Sequence, residues 1–259
     1  MALSHTTAAR AQHLWLPPRL AIDAEVHISR PRSRGPVAVP QVVTHRAFVN
    51  RSDLVTVDVA GRPWLATAPP RLWLDLAGIL TLEELIILGD HLVRGEELRG
   101  GPAAAEAMQQ RLRISPEHAR ISRSARRQAR EAAPLLRVGA HSPRETLLRR
   151  ALVRSGLPEP ELQIEVMWDG FSLVFPASAD AGYREARLAL HYDGDHHGRD
   201  RQIDSDVQRN AAFEAHGYRN IVVSSSDART GFRRVVTEVA EHLRRYPRGC
   251  PWLGQGSPS

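Results

Sequence analysis

The order of helix and strand patterns in residues 139–247 constrains the fold more than any other feature of the sequence. Ser142 and Pro143 predict the start of a helix and Gly156 its end, because Ser caps helices, Pro suits the first position and Gly follows the last. Four predicted strands and two further helices follow. These are the strands at 161–168, 171–177, 186–192 and 218–225, and the helices at 199–217 and from Asp227 onward. The order α-β-β-β-α-β-α predicts an α/β domain.

The first 100 residues predict a smaller unit of α+β type. Its predicted strands lie at 25–29, 41–49, 54–61 and 62–68. A helix is expected through APPRLWLDLAG, and a second from Thr81, whose spacing to Glu84 is that of a capping box. His27 and His45 are isolated in the sequence, so we expect packed or surface histidines there and not metal ligands.

Residues 101–138 are rich in Ala and Arg and are expected to be a helical linker, interrupted near Ser115-Pro116 and ended near Pro134. Residues 102–150 hold eleven Arg and four Glu, a local charge of +7 in a chain whose net charge is +6. Such a segment is either a solvated helix face or a DNA contact, since clustered positive charge releases counterions from phosphates. The candidate DNA contacts are Arg123, Arg126, Arg127 and Arg130.

Composition excludes several protein classes. Hydrophobic residues make up 42% of the chain, enough for a core, but no apolar run approaches the roughly 18–20 residues that span a bilayer. The amino-terminal segment lacks the apolar stretch of a secretion signal, and the single Cys250 excludes an internal disulfide framework and a Cys-based zinc site. We therefore expect a cytoplasmic protein without a membrane partner, with a flexible tail at 248–259.

The segment LHYDGDHH is rich in groups that bind metals or transfer protons, and it follows a predicted buried strand directly. These groups are His191, Asp193, Asp195, His196 and His197. Asp193 and Asp195 are candidate ligands of Mg²⁺ or Mn²⁺, because hard cations take oxygen ligands. The three histidines are candidate catalytic bases, acids or phosphate contacts. Asp and Gly are also common turn residues, so a polar turn is the alternative.

The run SPRETLLRRALVRSGLPEPELQIEV, with GFSLVFP, ARLALHYDGDHH and RNAAFEAHGYRNIVV after it, resembles the very-short-patch-repair-like endonucleases. These proteins belong to the restriction-endonuclease-like PD-(D/E)XK superfamily. The resemblance covers residues 139–247 and implies an α-β-β-β-α-β core with a mixed central sheet, and metal-dependent hydrolysis of DNA. Residues 1–100, through VTHR and PPRLWLDLAG, look similar to part of the type IV antitoxin-like proteins, which implies a protein partner as an alternative to DNA.

The resemblance also implies roles for individual residues. It places a catalytic glutamate of the first helix at Glu145, although Ser142 and Glu145 also have the spacing of a capping box. Its Q…D..R helix falls on Gln202, Asp206 and Arg209, where Asp206 and Arg209 are alternatively a surface pair. The candidate DNA contacts on this helix are Arg199, Arg201, Gln202 and Arg209.

Two positions depart from the family pattern. The metal-binding Asp of the family's second strand, in a pattern like VDLAYP, falls on Ser172, and the Glu that precedes its YDG falls on His191. Losing two carboxylates predicts weak or absent cleavage, because hard-cation affinity depends on ligand charge. Asp180 and Glu185 offer oxygen atoms from 177–185, which we expect to be a loop. Two functions stay open: an active endonuclease dependent on Mg²⁺ or Mn²⁺, and a catalytically degenerate DNA-binding or antitoxin-like regulatory protein.

Overall fold

A computed structural model describes most of the chain. The described residues are 1–31, 33, 38–47, 49–118, 121–167, 176–193 and 199–246, without the side chains of 117–118 and 199–206. The chain divides into two units, Met1–Pro143 and Arg144–Ser259. Both units combine helices with a mixed sheet, which confirms the α/β class. None of the described helices is both long and apolar enough to cross a membrane.

The first unit contains a five-stranded sheet of order β3-β2-β1-β5-β4. Its strands are β1 Ala2–Leu3, β2 Val26–Arg30, β3 Val42–Arg46, β4 Leu54–Val59 and β5 Arg62–Thr67. Strands β2 and β3 run parallel, as do β1 and β5, whereas β1–β2 and β4–β5 are antiparallel. Four of these strands lie where the sequence predicts them. The exception is β1, because two residues are too few to show a periodic pattern.

The helices predicted through APPRLWLDLAG and from Thr81 are present in the first unit, and two short helices that were not predicted precede them. The helices of this unit are α1 His5–Ala11, α2 Pro18–Ala21, α3 Pro69–Leu76, α4 Leu82–His118 and α5 Arg123–Ala132, with short 3₁₀ turns at Arg51–Asp53 and Ala133–Leu135. The predicted capping box before α4 is present, since Glu84 N–H donates to Thr81 Oγ1 and Thr81 N–H donates to Glu84 Oε2. Gly101, with φ +74°, breaks α4 in its middle.

Residues 101–138 pack into the core of the first unit, which corrects the expectation of a separate linker. Met108 and Leu112 of α4 and Ala129 of α5 are buried in the same cluster as the sheet and α3. The Arg residues of this segment dominate its composition, but small and apolar residues at helical spacing form a buried face. The high net charge of residues 101–138 therefore does not exclude a contribution of this segment to the core.

The second unit contains a four-stranded sheet of order β6-β7-β8-β9. Its elements are α6 Pro143–Arg154, β6 Glu161–Val166, β7 Ala177–Tyr183, β8 Leu188–Tyr192, α7 Arg199–Ala215, β9 Arg219–Val223, α8 Ser225–Arg229 and α9 Arg233–Arg244. The pairs β6–β7 and β7–β8 are antiparallel and β8–β9 is parallel, so the sheet is mixed. The elements follow one another in the predicted order, with α8 added before the last helix.

The sheet of the second unit has apolar side chains on both faces. Leu190 of β8 clusters with Leu148 of α6 and Val239 of α9, whereas Ala189 clusters with Phe213 of α7. Consecutive strand residues point to opposite faces. Helices α6 and α9 therefore cover one face of the sheet and α7 covers the other.

The position of the second strand differs from the prediction. We expected it at 171–177, but β7 covers Ala177–Tyr183, the segment that we expected to be a loop. Residues 171–175, including Ser172, lie outside the described residues. The sequence ASADAGY has low strand propensity, so local preference does not indicate a strand at 177–183. Pairing with β6 and β8 on both sides stabilises β7 instead.

Candidate catalytic site

Asp180 lies on β7 beside the carboxyl end of β8. Ala181 pairs with Leu190 in the antiparallel ladder, which puts Asp180 level with His191. Oδ2 of Asp180 accepts a hydrogen bond from the backbone N–H of Tyr192 at 2.6 Å. The second strand of the sheet thus holds a carboxylate next to the start of the acidic and histidine-rich segment.

The side-chain alternation of β6 and β7 breaks at the level of Asp180. The residue pairs on the two sides of this level face different core clusters: Leu162–Ala181 lies in the cluster with α9, and Ile164–Ala179 lies in the cluster with α7. Gln163 and Asp180 lie between these pairs, and Gln163 has the unusual φ of +51°. Strand irregularities re-aim side chains and are frequent beside active sites. The break therefore marks this level as a candidate site.

Glu145 is linked to the same level through Gln163. It lies in the first turn of α6 and is buried, and its Oε2 accepts a hydrogen bond from Gln163 Nε2 at 3.3 Å. Oε1 of Gln163 accepts a hydrogen bond from Ser178 Oγ, also at 3.3 Å, and Ser178 is two residues from Asp180 on β7. A buried carboxylate is costly unless polar groups surround it. The sequence did not reveal Gln163 or Ser178, because only strand pairing brings them to Glu145.

His191 is buried and packs on the α7 face of the sheet. Its ring meets Phe213 edge-on with 5.1 Å between ring centroids. Its Nε2 lies 3.0 Å from Oδ1 of Asn220, so the ring nitrogen donates and the amide oxygen accepts. The Asn220 amide nitrogen donates to the Asn210 carbonyl at 2.9 Å, which fixes the orientation of the amide. These contacts give His191 a role in packing, and its catalytic role stays a prediction.

Asp193 is exposed, and its backbone N–H donates to the Val223 carbonyl at 2.8 Å. This bond continues the pairing of β8 with β9 by one residue and fixes the backbone of Asp193. The guanidinium of Arg144 lies over the Tyr192 ring, 5.4 Å from its centroid. Several predicted site residues lie outside the described part of the chain, and their roles stay predictions. They are Ser172, Asp195, His196 and His197, with the side chains of Arg199, Arg201 and Gln202.

The predicted arginine contacts of α5, in the first unit, lie together. The helix buries a face of small residues, namely Ala125, Ala129 and Ala132. Three of the arginines are exposed, and Arg126 is half-buried. A groove of about 450 Å³ is lined by Arg123, Arg126, Arg127, Arg130 and Glu131. The arrangement suits a phosphate-binding surface and equally a solvated helix face. Arg209, on α7 of the second unit, is half-buried.

Among the described residues, two groups of three metal-binding side chains have ligand atoms within 4.8 Å of one another, and both lie in the first unit. They are His5, His27 and His45, and Asp23, Glu25 and His27. The expectation that His27 and His45 are isolated is therefore wrong, because parallel pairing of β2 with β3 brings the two rings together. Within its described part, the second unit contains no such group.

Comparisons with known proteins add no relative to these observations. No protein-family model matches the chain. Searches of the curated proteins and of the solved structures found no significant match either.

Proposed function

We propose that the second unit is a metal-dependent DNA endonuclease domain in which Asp180 is the metal-binding carboxylate of the second strand. The observation that carries this proposal is the position of Asp180 on β7, bonded to the Tyr192 N–H at the end of β8. The expectation that Ser172 takes this place depended on a strand at 171–177. With β7 at Ala177–Tyr183, the segment DAGY has the Asp-x-x-Tyr spacing of the family's VDLAYP pattern.

The donors that we assign to the proposed site are oxygen atoms, which suit a hard cation such as Mg²⁺ or Mn²⁺. Asp180 and Asp193 offer carboxylate oxygens, and Glu145 with Gln163 offers further oxygens from the neighbouring helix and strand. Hard cations prefer such ligands and keep some of their water. When bound, the cation would lower the pKa of a water molecule and neutralise charge on a phosphodiester.

The proposed reaction is hydrolysis. The oxygen of a water molecule bonds to phosphorus, the bond from phosphorus to the leaving sugar oxygen breaks, and that oxygen takes up a proton. Asp180 and Asp193 would hold the cation, and Glu145 would support it. His196 or His197 accepts the proton of the attacking water or holds the phosphate. The arginines of α5, and those predicted on α7, contact the DNA backbone.

Nicking of supercoiled plasmid in Mg²⁺ or Mn²⁺ tests this proposal. We expect metal-dependent nicking by the natural chain, and a fall to the metal-free level for Asp180→Asn and for Asp193→Ala. Ser172→Ala is the matched control, and it should keep its activity because Ser172 is not the ligand position in this account. Absence of nicking by the natural chain, or full activity of Asp180→Asn, would contradict the proposal.

A second function, DNA binding or antitoxin-like regulation without cleavage, is favoured by His191. The family has a glutamate at this position, whereas here the imidazole is buried against Phe213 and bonded to Asn220. For this function, affinity for duplex DNA should fall steeply with salt, and each substitution Arg123→Gln or Arg127→Gln should reduce the salt slope by about 1. Binding that is undetectable or independent of salt would exclude DNA and leave a protein partner.

A further inference from the structure

Three histidines from separate segments of the first unit meet at one place. His5 lies two residues after β1, His27 is in β2 and His45 is in β3. His27 Nδ1 lies 2.8 Å from His45 Nε2, and the rings of His5 and His45 stack with 3.6 Å between their centroids. All three offer a ligand nitrogen within 4.8 Å of the others. Forty residues of sequence separate the first from the last, so the fold assembles this cluster.

A carboxylate holds His27 from the side away from the cluster. Oδ2 of Asp23 lies 3.0 Å from His27 Nε2, and when Nε2 donates this hydrogen bond, Nδ1 directs its lone pair to His45. Asp23 is fixed in turn by the Thr6 hydroxyl at 2.9 Å and the backbone N–H of Glu25 at 3.0 Å. A carboxylate behind an imidazole is the arrangement that orients metal-binding histidines.

His5 is also held in place from outside the cluster. Oγ of Ser4 lies 3.0 Å from His5 Nδ1, so Nε2 is the ring nitrogen that Ser4 does not contact. The backbone of His5 has φ +51°, a left-handed conformation that a non-glycine residue adopts only when its surroundings enforce it. Strained backbone of this kind is frequent at ligand sites, and here it positions the first ring of the cluster.

Two of the three histidines have a lowered pKa. Burial, with the charges of His45 and His27, lowers the pKa of His5 from 6.5 to about 3. Burial and His27 also lower the pKa of His45. A cation between His27 and His45 would take the place of the hydrogen bond that joins their ring nitrogens.

The cluster also has access to solvent through a cavity. His5 and His45 line a cavity of about 1030 Å³ whose wall includes Arg46, Arg71 and Asp75. Arg71 Nε donates to Asp75 Oδ1 at 2.8 Å, so these two side chains are paired within the wall. The cavity has room for a water molecule or a small oxyanion beside the rings, and its arginines favour an anion.

We propose that His5, His27 and His45 bind one divalent transition metal ion of the zinc class, with a fourth position open to this cavity. Three imidazoles with one open position form the ligand set of many catalytic zinc sites, and imidazole suits Zn²⁺, Ni²⁺ or Cu²⁺ better than Mg²⁺. With Zn–N bonds of about 2.0–2.1 Å, ligand nitrogens of a tetrahedral site lie about 3.3 Å apart. Binding therefore requires His27 Nδ1 and His45 Nε2 to separate by about 0.5 Å from their 2.8 Å.

The overlapping group of Asp23, Glu25 and His27 is a weaker candidate. It would use Nε2 of His27, which is bonded to Asp23 and lies 3.9 Å from Glu25 Oε2. The Glu25 side chain is 57% exposed, so water competes for its carboxylate. Glu25 has no role in the three-histidine site, so a substitution of Glu25 distinguishes the two candidate sites by experiment.

Metal titration of the full chain, stripped with a chelator, tests the proposal. Zn²⁺ binding is measured by calorimetry and Co²⁺ binding by visible absorption, since tetrahedral Co²⁺ absorbs far more strongly than octahedral Co²⁺. We expect one equivalent of tight Zn²⁺ and a tetrahedral Co²⁺ spectrum. His45→Gln should weaken binding more than 100-fold, and Asp23→Asn by about 10–100-fold as the loss of a ligand's supporting carboxylate.

Matched controls test whether binding is specific to the three-histidine site. Glu25→Gln and His216→Gln, the latter at an exposed histidine of the second unit, should each bind Zn²⁺ as tightly as the natural chain. Loss of binding in Glu25→Gln, or unchanged binding in His45→Gln, would overturn the proposal. Absence of stoichiometric Zn²⁺ binding by the natural chain would do the same.

X-ray absorption of the zinc-loaded natural chain keeps the test decisive if His45→Gln does not fold. Three imidazole ligands at the zinc, with no sulfur, are the expected result. Fewer than three imidazoles would contradict the site. Because the histidines lie in the first unit, this outcome is independent of whether the second unit cleaves DNA.

Discussion

Replacing Asp180 by Asn separates its structural contribution from its proposed role in metal binding. Tyr192 N–H donates to Asp180 Oδ2 at 2.6 Å, and the carbonyl oxygen of Asn can accept the same bond. Hydrogen bonds to charged groups contribute about 1.5–3 kcal/mol and neutral ones about 0.5–1.5 kcal/mol. Asp180→Asn is therefore expected to lower the free energy of unfolding of the second unit by only about 1 kcal/mol.

The loss of metal stabilisation should be the larger and more specific effect. An ion that binds only the folded state adds about 1.4 kcal/mol at ten times its Kd. The natural chain should gain this stability at saturating Mg²⁺, and Asp180→Asn should gain none. Hydrogen exchange of the Tyr192 amide, with and without Mg²⁺, reports the stability of β8 directly.

Ser172→Ala is the control for the strand assignment. It should gain as much stability from Mg²⁺ as the natural chain. The reasoning is refuted if Asp180→Asn keeps the Mg²⁺ gain. Loss of that gain in Ser172→Ala would instead indicate that Ser172 contributes to the metal site.

Three further predictions concern stability. Gly182→Ala should destabilise the second unit by more than about 2 kcal/mol, because the added Cβ would lie 2.2 Å from the Leu188 carbonyl oxygen. Urea unfolding measures this loss, and an unchanged midpoint of the urea transition would contradict the close approach of β7 and β8. Hydrogen bonds from Arg234 hold the pKa of Asp227 far below 3.8, so this carboxylate stabilises the fold above about pH 4 and the effect is lost on further acidification. Asp227→Asn should flatten the acid limb of a pH–stability curve, and an unaltered limb would count against the pair. Burial raises the pKa of Asp75 from 3.8 to about 6, so the folded state keeps the Asp75 proton at a pH where the unfolded state has lost it. The stability of the fold should therefore decrease as the pH rises from about 4 to 6. Asp75→Asn should remove this dependence of the thermal unfolding temperature on pH.

Elements with local signals could be predicted from the sequence. Helix α6 begins at Pro143, and Gly156, with φ +79°, follows its end as the sequence indicates. The capping box of Thr81 and Glu84 forms before α4. These signals act within a few residues of the chain, so they do not depend on the rest of the fold.

Elements stabilised by distant partners could not be predicted in the same way. Strand β7 is mostly Ala, Ser, Asp and Gly, which have low strand propensity, and pairing with its two neighbouring strands stabilises it, so the sequence predicts a loop at Asp180. The contact of His27 with His45 depends on the parallel pairing of β2 and β3, which sequence periodicity does not reveal. The candidate site residues within LHYDGDHH could be predicted because they are adjacent in the sequence.

The position of a bound Mn²⁺ ion tests the central claim, that Asp180 is the metal ligand of the second strand, most directly. Crystals of the full chain grown with Mn²⁺ would locate the ion by anomalous scattering. The account predicts an ion within roughly 2.0–2.6 Å of an Asp180 carboxylate oxygen, the range of oxygen–cation bonds. An ion in the second unit away from Asp180, or no ion in that unit at saturating Mn²⁺, would contradict it.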